Sequence, residues 1–335
     1  MKLHIVVPCY NEEAVLAESA RQFDALLGRL IDAEKIWPDS KVTFVDDGSR
    51  DATWSLIERE AAQRARVGGI KLSRNRGHQN AVFAGLMTVD GSAVITIDAD
   101  LQDDLGAIER MVDEHLAGCD IVYGVRDDRS TDTAFKRHSA ALFYRFLGLF
   151  GVELVHNHAD FRLMSRRAVE ALREYRETNL YLRGIVPLIG FRTTTVAYAR
   201  KERFAGESKY PLRKMLGLAL EAITSFSTVP LQIITILGVL VFAGSMAVSA
   251  WVLWVALFTA KAVPGWASTV LPMTFLGGMQ ILCLGVIGAY MGKIYGEVKA
   301  RPRFFIDRTA GFGASKQLSL EPLLQRGKRS QAIES

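Results

Sequence analysis

The stretch VITIDADLQD, from Val94 to Asp103, joins an apolar strand pattern to a group of carboxylates. Its first half alternates branched apolar residues as a buried strand does, and Asp98, Asp100 and Asp103 follow directly. Carboxylates this close repel one another unless a cation or a hydrogen-bond donor neutralises them. The stretch therefore predicts a strand that ends at a site holding something positive.

Three similar strand–helix units precede this one along the chain. The runs LHIVVP, VTFVDD and GIKL have strand patterns, and each leads through a polar turn to a helical pattern that begins near residues 15, 52 and 78 respectively. The fourth strand, AVITIDAD, is followed by a predicted helix from Ile108 to Leu116. This alternation predicts an α/β domain with a mostly parallel sheet and helices on both faces.

Polar clusters follow three of the predicted strands, at residues 10–12, 46–47 and 98–100. Each cluster alone is equally typical of a helix cap or a turn. Ligands of such sheets bind beyond the carboxyl ends of the strands, so the three clusters should converge on one rim. Mg²⁺ and Mn²⁺ prefer oxygen ligands and are often shared between a carboxylate and a phosphate. We therefore expect a divalent cation held by Asp98 or Asp100, or both, together with a diphosphate.

The second half of the chain is strongly apolar. Of its 335 residues 49% are hydrophobic, and no charged residue lies between Glu221 and Lys261 or between Lys261 and Lys293. Each stretch is long enough to cross a hydrocarbon core of about 30 Å, although two buried core helices are the alternative. The sequence predicts a transmembrane hairpin with spans over about 230–259 and 269–293.

The charges around the predicted hairpin give its orientation. Basic residues precede the first span and follow the second, whereas the connector carries only Lys261, so both termini are expected in the cytoplasm. The apolar run at the start of the chain is too short for a signal peptide. We expect a cytoplasmic domain over 1–210, an interfacial amphipathic helix over 211–228, the hairpin over 229–297 and a partly disordered tail over 298–335. A core helix is the alternative for 211–228.

Charge and cysteine content exclude several classes of protein. Cys9, Cys119 and Cys283 are odd in number and widely separated, which argues against a disulfide framework and against a thiolate metal site. The net charge of +5 comes with basic residues crowded beside the predicted spans and with no nucleic-acid-binding motif. Anionic lipid, rather than nucleic acid, is the expected partner.

Several motifs together resemble the family 2 glycosyltransferases of GT-A fold, and within them the polyprenyl-phosphate glycosyltransferases. That group includes dolichol-phosphate mannose synthase and the bactoprenol glucosyltransferases. The order and content of the motifs match through the paired spans to about Pro302, with one departure at Asp104, where many relatives carry proline. The motifs are VVPCYNEE, VDDGSRDAT, LSRNRGHQNAVFAG, IDADLQD, HADFRLMSRRA and ERFAGESKYPLRK.

The resemblance implies a role for individual residues. Asp98 and Asp100 would hold the metal and the diphosphate, with Gln102 near the metal, and Asp160 would lie at the reaction centre. Whether Asp160 acts as a base or positions a substrate stays open. The nucleotide sugar would contact Pro8, Tyr10, Asn11, Glu12, Asp47 and Asp98, and the acceptor phosphate or donor diphosphate would contact Arg126, Arg137, Ser139, Arg203, Ser208 and Lys209.

The resemblance also implies the reaction. We expect inverting transfer of one sugar, first glucose from UDP-glucose, to undecaprenyl phosphate with Mg²⁺ or Mn²⁺, at the bacterial inner membrane. A flippase and an outer-face transferase would use the product for cell-envelope glycans such as lipopolysaccharide, and relatives with two spans imply a homotetramer. The alternatives are another sugar (galactose, N-acetylhexosamine, mannose or an aminoarabinose type), a processive polysaccharide synthase, and a non-catalytic scaffold. The synthases carry a Gln-x-x-Arg-Trp segment, which this sequence lacks.

Overall fold

The computed structural model describes residues 1–126, 158–177, 180–199 and 267–312, and scattered positions between 231 and 258. The strands in these ranges are β1 (Leu3–Cys9), β2 (Lys41–Asp46), β3 (Val67–Leu72), β4 (Ala93–Thr96), β5 (Ile121–Arg126), β6 (His158–Ser165), β7 (Thr193–Tyr198) and β8 (Ile306–Ala310). The helices are α1 (Leu16–Asp32), α2 (Thr53–Gln63), α3 (His78–Thr88), α4 (Leu105–Leu116), α5 (Arg166–Arg173), α6 (Leu182–Leu188) and α7 (Ala267–Val298).

The described strands form one sheet in the order β7-β5-β6-β4-β1-β2-β3-β8. Strand β1 pairs in parallel with β2 and β4, β2 with β3, and β5 with β7. Strands β6 and β8 are antiparallel to their neighbours. The predicted α/β domain with a mostly parallel sheet is confirmed, and the four predicted strand–helix units are its first four strands and helices.

Alternate residues of β1 show why helices cover both faces of the sheet. Ile5 and Val7 pack into the cluster that contains Phe23 of α1, whereas Val6 points the other way. On that opposite face, a Cβ added to Gly85 of α3 would lie 2.3 Å from a methyl carbon of Val6, so α3 packs directly on the sheet. The near-continuous apolar run of β1 is thus explained by burial on both sides.

A strand that the sequence did not predict completes one edge of the sheet. Residues 306–310, inside the predicted tail, form β8 and pair with β3, with Thr309 opposite Ile70. The ring of Phe304, just before β8, lies 6.4 Å from that of Phe83 in α3. This part of the tail therefore belongs to the same compact unit as the sheet. Residues 313–335 lie outside the described residues.

Helix α7 belongs to a second compact unit and contains the second predicted span. The predicted interfacial helix over 211–228, and most of the first span over 230–259, lie outside the described residues. A search of the described positions finds no helix that is both long enough and apolar enough to cross a membrane.

Candidate active site

The order of the strands places a cleft at the carboxyl ends of β1, β2 and β4. Strand β1 lies between β2 and β4, so the order of the strands reverses beside it, which is where sheets of this kind bind ligands. The cleft there has a volume of about 300 Å³. Its lining comes from the end of β1, the loops that follow β1 to β4 and the start of α3: Pro8, Cys9, Tyr10, Glu12, Asp47, Asn75, Gly77, His78, Ala81, Asp98, Ala99 and Asp100.

The loop after β1 is bound to the loop after β2. The backbone N–H of Asn11 donates to Ser49 Oγ at 2.9 Å, and Asn11 Oδ1 accepts from the backbone N–H of Arg50 at 2.9 Å. The N–H of Glu12 donates to Thr53 Oγ1 at 2.9 Å. Asn11 has φ of 56°, a conformation that asparagine tolerates better than most residues. Asn11, expected to contact the nucleotide, joins these two loops.

Asp47 joins the loop after β2 to the start of α3. Its carboxylate accepts from the backbone N–H groups of Arg76, at 2.6 Å, and Gly77, at 2.8 Å. Gly48 has φ of 70°, and a Cβ there would lie 2.6 Å from the backbone nitrogen of Asn75, so only glycine fits this turn. Burial raises the pKa of Asp47 although the two N–H donors oppose the shift. The Asp47 carboxylate therefore fastens the loop after β2 to the backbone just before α3.

Asp98 and Asp100 form the acidic wall of the cleft. The Asp98 side chain is 43% exposed, and the backbone N–H of Gln102 donates to Asp100 Oδ1 at 3.2 Å. Loss of hydration raises the pKa of Asp98, and the charges of Asp160, Asp103 and Asp100 add to the shift against the opposing effect of His78. The side chain of Gln102, expected near a metal, is buried and does not line the cleft.

Asp103 and Asp104 have structural roles. Asp103 is buried and accepts a 2.6 Å hydrogen bond from the Tyr198 hydroxyl, to which Arg126 Nε donates at 3.4 Å. Asp104 precedes α4 as its N-cap and accepts from the N–H of Gly106 at 3.0 Å. Of the carboxylates that follow β4, two thus face the cleft and two are satisfied by donors. The φ of Asp104, −70°, is one that proline also adopts, so the turn there has a backbone shape that either residue can take.

Asp160, near the start of β6, is surrounded by nitrogen donors. Its Oδ1 accepts from Arg162 Nη2 at 3.0 Å and from Arg183 Nε at 3.2 Å. Its Oδ2 accepts from Arg183 Nη2 at 3.1 Å and from Gln79 Nε2 at 3.3 Å. Arg162 is only 1% exposed, whereas Arg183 is 42% exposed. We call these residues, with His78, the Asp160 cluster.

His78 connects the Asp160 cluster to the cleft. Its Nε2 lies 3.3 Å from Asp160 Oδ2 and 3.8 Å from Asp98 Oδ1. Burial lowers the pKa of His78, but the hydrogen bond to Asp160 and the charge of Asp98 outweigh it and the pKa is raised. For Asp160 burial raises the pKa, while His78, Arg162 and Arg183 outweigh it and hold the pKa well below its usual value. Asp160 is thus a carboxylate whose charge is already balanced.

Sequence reasoning missed most of the Asp160 cluster. His78 is the helix-start residue that the sequence favoured, since it begins α3, but its ring also faces two carboxylates. Arg162 is buried, whereas Arg167, five positions later, is a surface charge with a side chain that is 65% exposed. Asp160 and Arg162 are two apart on a strand and so point to the same face, a signal that could have paired them.

Other predicted contacts fall outside the described part of the chain. Arg126 is described and lies beside Tyr198. Within the described ranges, no group of three or more His, Cys, Asp or Glu side chains could hold a metal ion. The predicted residues outside those ranges are Arg137, Ser139, Arg203, Ser208 and Lys209.

Comparison with known proteins shows which family the chain belongs to. The sequence profile described as Glycosyl transferase family 2 matches residues 4–173. An uncharacterized glycosyltransferase of Bacillus subtilis, YkoT, is 49% identical over 307 residues, which cover 91% of each chain. The bactoprenol glucosyl transferase of Shigella phage SfX is 40% identical over 310 residues, 91% of this chain and 99% of that one.

A solved structure overlaps this fold in part. Glucosyl-3-phosphoglycerate synthase from Mycobacterium tuberculosis, in complex with Mn²⁺, UDP and phosphoglyceric acid, has a TM-score of 0.42 at 17% identity. The overlap covers 67% of this chain and 76% of that one. The profile match and the two relatives define the class of protein, an enzyme that transfers glycosyl groups. The chain belongs to glycosyl transferase family 2.

Proposed function

We propose that this protein transfers one sugar from a nucleotide sugar to a polyprenyl phosphate such as undecaprenyl phosphate. The observation that carries the proposal is the cleft beside β1, where the order of the strands reverses. Asp98 and Asp100 form its acidic wall, and His78 connects this wall to the hydrogen-bond donors of the Asp160 cluster. The relative from phage SfX, named for transfer to bactoprenol, matches almost along its whole length and supports this acceptor.

The acidic wall fits a divalent cation shared with a diphosphate. Asp98 and Asp100 both line the cleft and offer hard oxygen ligands, and too few carboxylates converge in the described residues for an all-protein cage. Mg²⁺ and Mn²⁺ commonly take only one or two carboxylates when phosphates supply the remaining ligands. We assign Asp98 and Asp100 as the protein ligands of Mg²⁺ or Mn²⁺, which would neutralise charge on the leaving diphosphate.

A single displacement accounts for the reaction. A phosphate oxygen of the acceptor forms a bond to the anomeric carbon, and the bond from that carbon to the diphosphate breaks with its electron pair on the diphosphate. The second pKa of a phosphate monoester is near 6, so the acceptor is mostly a dianion at neutral pH and has no proton to lose. Inversion of the anomeric centre follows. The side chains of the cleft bind, orient and balance charge.

UDP-glucose is the first donor to test, with the other sugars as alternatives. The support is the name of the relatives from Shigella phages and Escherichia coli, which act as bactoprenol glucosyl transferases or are homologous to one. The loops after β1 and β2 would hold the nucleotide, with Tyr10, 42% exposed, beside the base. A processive synthase is disfavoured by the missing Gln-x-x-Arg-Trp segment, and a scaffold by the intact acidic wall.

We also propose that the enzyme is a multi-pass protein of the bacterial inner membrane with both termini in the cytoplasm. The two uncharged stretches on either side of Lys261, and the basic residues that flank them, support this topology. The cleft would then face the leaflet that presents polyprenyl phosphate. A homotetramer, and delivery of the product by a flippase to an outer-face transferase for cell-envelope glycans such as lipopolysaccharide, belong to the same proposal.

The test is a transfer assay with purified protein in detergent. Undecaprenyl phosphate, Mn²⁺ and a panel of labelled nucleotide sugars are supplied, and label is counted in the lipid fraction. We expect one donor to label the lipid and Asp98→Asn to abolish the transfer, while Asp113→Asn, a change on the surface of α4, leaves it intact. Folded, nucleotide-binding protein that labels no polyprenyl phosphate with any donor would contradict the proposal.

A further inference from the structure

The carboxylate of Asp160 has more donors around it than a proton acceptor can accommodate. Two ionised carboxylate oxygens offer about four lone-pair sites. Five nitrogens from Arg162, Arg183, Gln79 and His78 lie within 3.3 Å of these oxygens. The substrate would have to displace one of these donors before it could give a proton to Asp160. A role as general base therefore conflicts with the local geometry.

Of the two arginines in the Asp160 cluster, Arg183 is the one that a substrate can reach. Its Nε and Nη2 form a two-pronged contact with the Asp160 carboxylate, which fixes the plane of the guanidinium group. The side chain is nevertheless 42% exposed, in contrast to the fully buried Arg162. An arginine held in this way is pre-organised to bind a phosphate, because little side-chain freedom is lost when the ligand arrives.

Gln79 fixes the distance between the helix that carries Arg183 and the carboxylate. Its Nε2 donates to Asp160 Oδ2 at 3.3 Å, and its Oε1 accepts from the backbone N–H of Leu182 at 3.1 Å. Leu182 directly precedes Arg183 at the start of α6. The start of α3 and the start of α6 are therefore both tied to one carboxylate. Together they determine where the Arg183 guanidinium lies.

We propose that Arg183 binds a phosphate group of a substrate, and that Asp160 and Gln79 are positioning residues for Arg183 and not a proton-transfer device. The inference rests on the proposed function. Both substrates carry phosphate: the donor as a diphosphate and the acceptor as a monoester. Neither Asp160 nor Arg183 lines the cleft, and Asp160, with which Arg183 pairs, lies across His78 from Asp98. This position, beyond the wall assigned to the diphosphate, favours the acceptor phosphate.

The test separates acceptor binding, donor binding and turnover. Arg183→Gln, Arg183→Lys, Asp160→Asn and the double variant Asp160→Asn/Arg183→Gln are compared with wild type. The matched controls are Arg21→Gln and Asp24→Asn, which break ion pairs on α1 away from the cleft. For each protein we measure kcat, the KM for undecaprenyl phosphate, the Kd for UDP with Mn²⁺, and direct binding to nanodiscs that contain undecaprenyl phosphate.

Arg183→Gln should raise the KM for undecaprenyl phosphate about tenfold to a hundredfold, as loss of a charge-assisted hydrogen bond does. The KM of Arg183→Lys should lie between those of Arg183→Gln and wild type, because lysine keeps the charge but lacks the planar set of N–H donors of a guanidinium group. Asp160→Asn should raise the same KM, and the double variant should be no worse than the more affected single variant. Both controls should match wild type. A change in UDP affinity alone would still support a phosphate site and would assign it to the donor diphosphate.

Two results would overturn the inference. Unchanged acceptor KM, nanodisc binding and UDP affinity in Arg183→Gln would show that Arg183 binds no phosphate. Activity of Asp160→Asn that rises about tenfold per pH unit, with an unchanged acceptor KM, would identify Asp160 as a base.

Wild-type protein that binds the nanodiscs but transfers no sugar would contradict the proposed function alone, and the nanodisc binding measurement would still test Arg183. Arg183→Gln alters an exposed side chain, so this measurement survives if Asp160→Asn fails to fold.

Discussion

Asp98 and Asp160 lie on either side of His78 and carry the same side chain in opposite electrostatic surroundings. Asp98 is 43% exposed; loss of hydration is the main cause of its raised pKa, and the charges of other carboxylates add to the shift. Asp160 is nearly buried, and arginines and His78 hold its pKa well below the usual value. The first carboxylate is therefore prepared to receive a cation, whereas the second already has its cations. This difference distinguishes the acidic wall, which we propose as the metal site, from the Asp160 cluster, in which the carboxylate orients other side chains.

The largest effect should come from the acidic wall. We expect Asp98→Asn to lower kcat for sugar transfer by at least about a hundredfold, the usual cost of removing one group that stabilises developing charge. Chelation of divalent cations from the wild-type protein should abolish transfer, and Mn²⁺ should restore it. Glu109→Gln, which removes an exposed carboxylate paired with Lys35, is the control and should keep full activity. Transfer by Asp98→Asn at the wild-type rate would contradict the assignment of Asp98 as a metal ligand.

Stability should respond in opposite ways to loss of the two carboxylates. Asp160→Ala leaves the buried charge of Arg162 without its carboxylate and should lower the free energy of unfolding by about 3 kcal/mol. Asp98→Ala removes repulsion among carboxylates and should leave the melting temperature unchanged or raise it. Thermal unfolding of the detergent-solubilised variants checks both. Equal destabilisation by the two changes would mean that their surroundings do not differ as described.

The contribution of Asp160 should also depend on pH in a defined direction. Its folded-state pKa is lowered, so its charge stabilises the folded protein above the unfolded value of about 3.9, and this contribution is lost as the pH falls through the folded value. The gap in melting temperature between wild type and Asp160→Asn should be constant at neutral pH and should shrink under acid conditions below about pH 4. A gap that widens with acid would contradict this assignment.

A smaller effect is expected at the support of the acidic wall. Tyr198→Phe removes the hydroxyl that donates to the buried Asp103, five residues after Asp98. The change should cost about 1 kcal/mol of stability, the net worth of a typical hydrogen bond. It should lower activity only several-fold, because Asp98 and Asp100 themselves are untouched. A loss as large as that of Asp98→Asn would show that the loop after β4 has no other support.

The acidic wall was predictable because its residues follow their strands directly. The apolar runs of β1, β2 and β4 identify the strands, and the carboxyl ends of parallel strands meet at one rim, so the amino-acid pattern alone brings Tyr10, Asp47 and Asp98 together. The sequence could not show which carboxylates of the loop after β4 face the cleft. That depends on Tyr198, 95 positions away, whose hydroxyl satisfies Asp103.

The Asp160 cluster was mostly unpredictable for the same kind of reason. Strand β6 lies between β4 and β5 and runs against both, a reversal that no local pattern signals. Because β6 is interior, Arg162 is buried against Asp160 and cannot be the surface charge that its neighbours suggest. Gln79 and Arg183, which are more than 100 residues apart in sequence, reach the carboxylate from two different helices. Strand β8 was missed because its short run forms only against β3.

Binding of Mn²⁺ in the presence of UDP tests the contrast between the two carboxylates most directly. The free Mn²⁺ signal in electron paramagnetic resonance is followed as wild type, Asp98→Asn and Asp160→Asn are titrated at saturating UDP. The account predicts that Asp98→Asn no longer binds Mn²⁺, while Asp160→Asn binds it as the wild type does and is impaired in its use of the acceptor. Retained binding in Asp98→Asn together with lost binding in Asp160→Asn would contradict it.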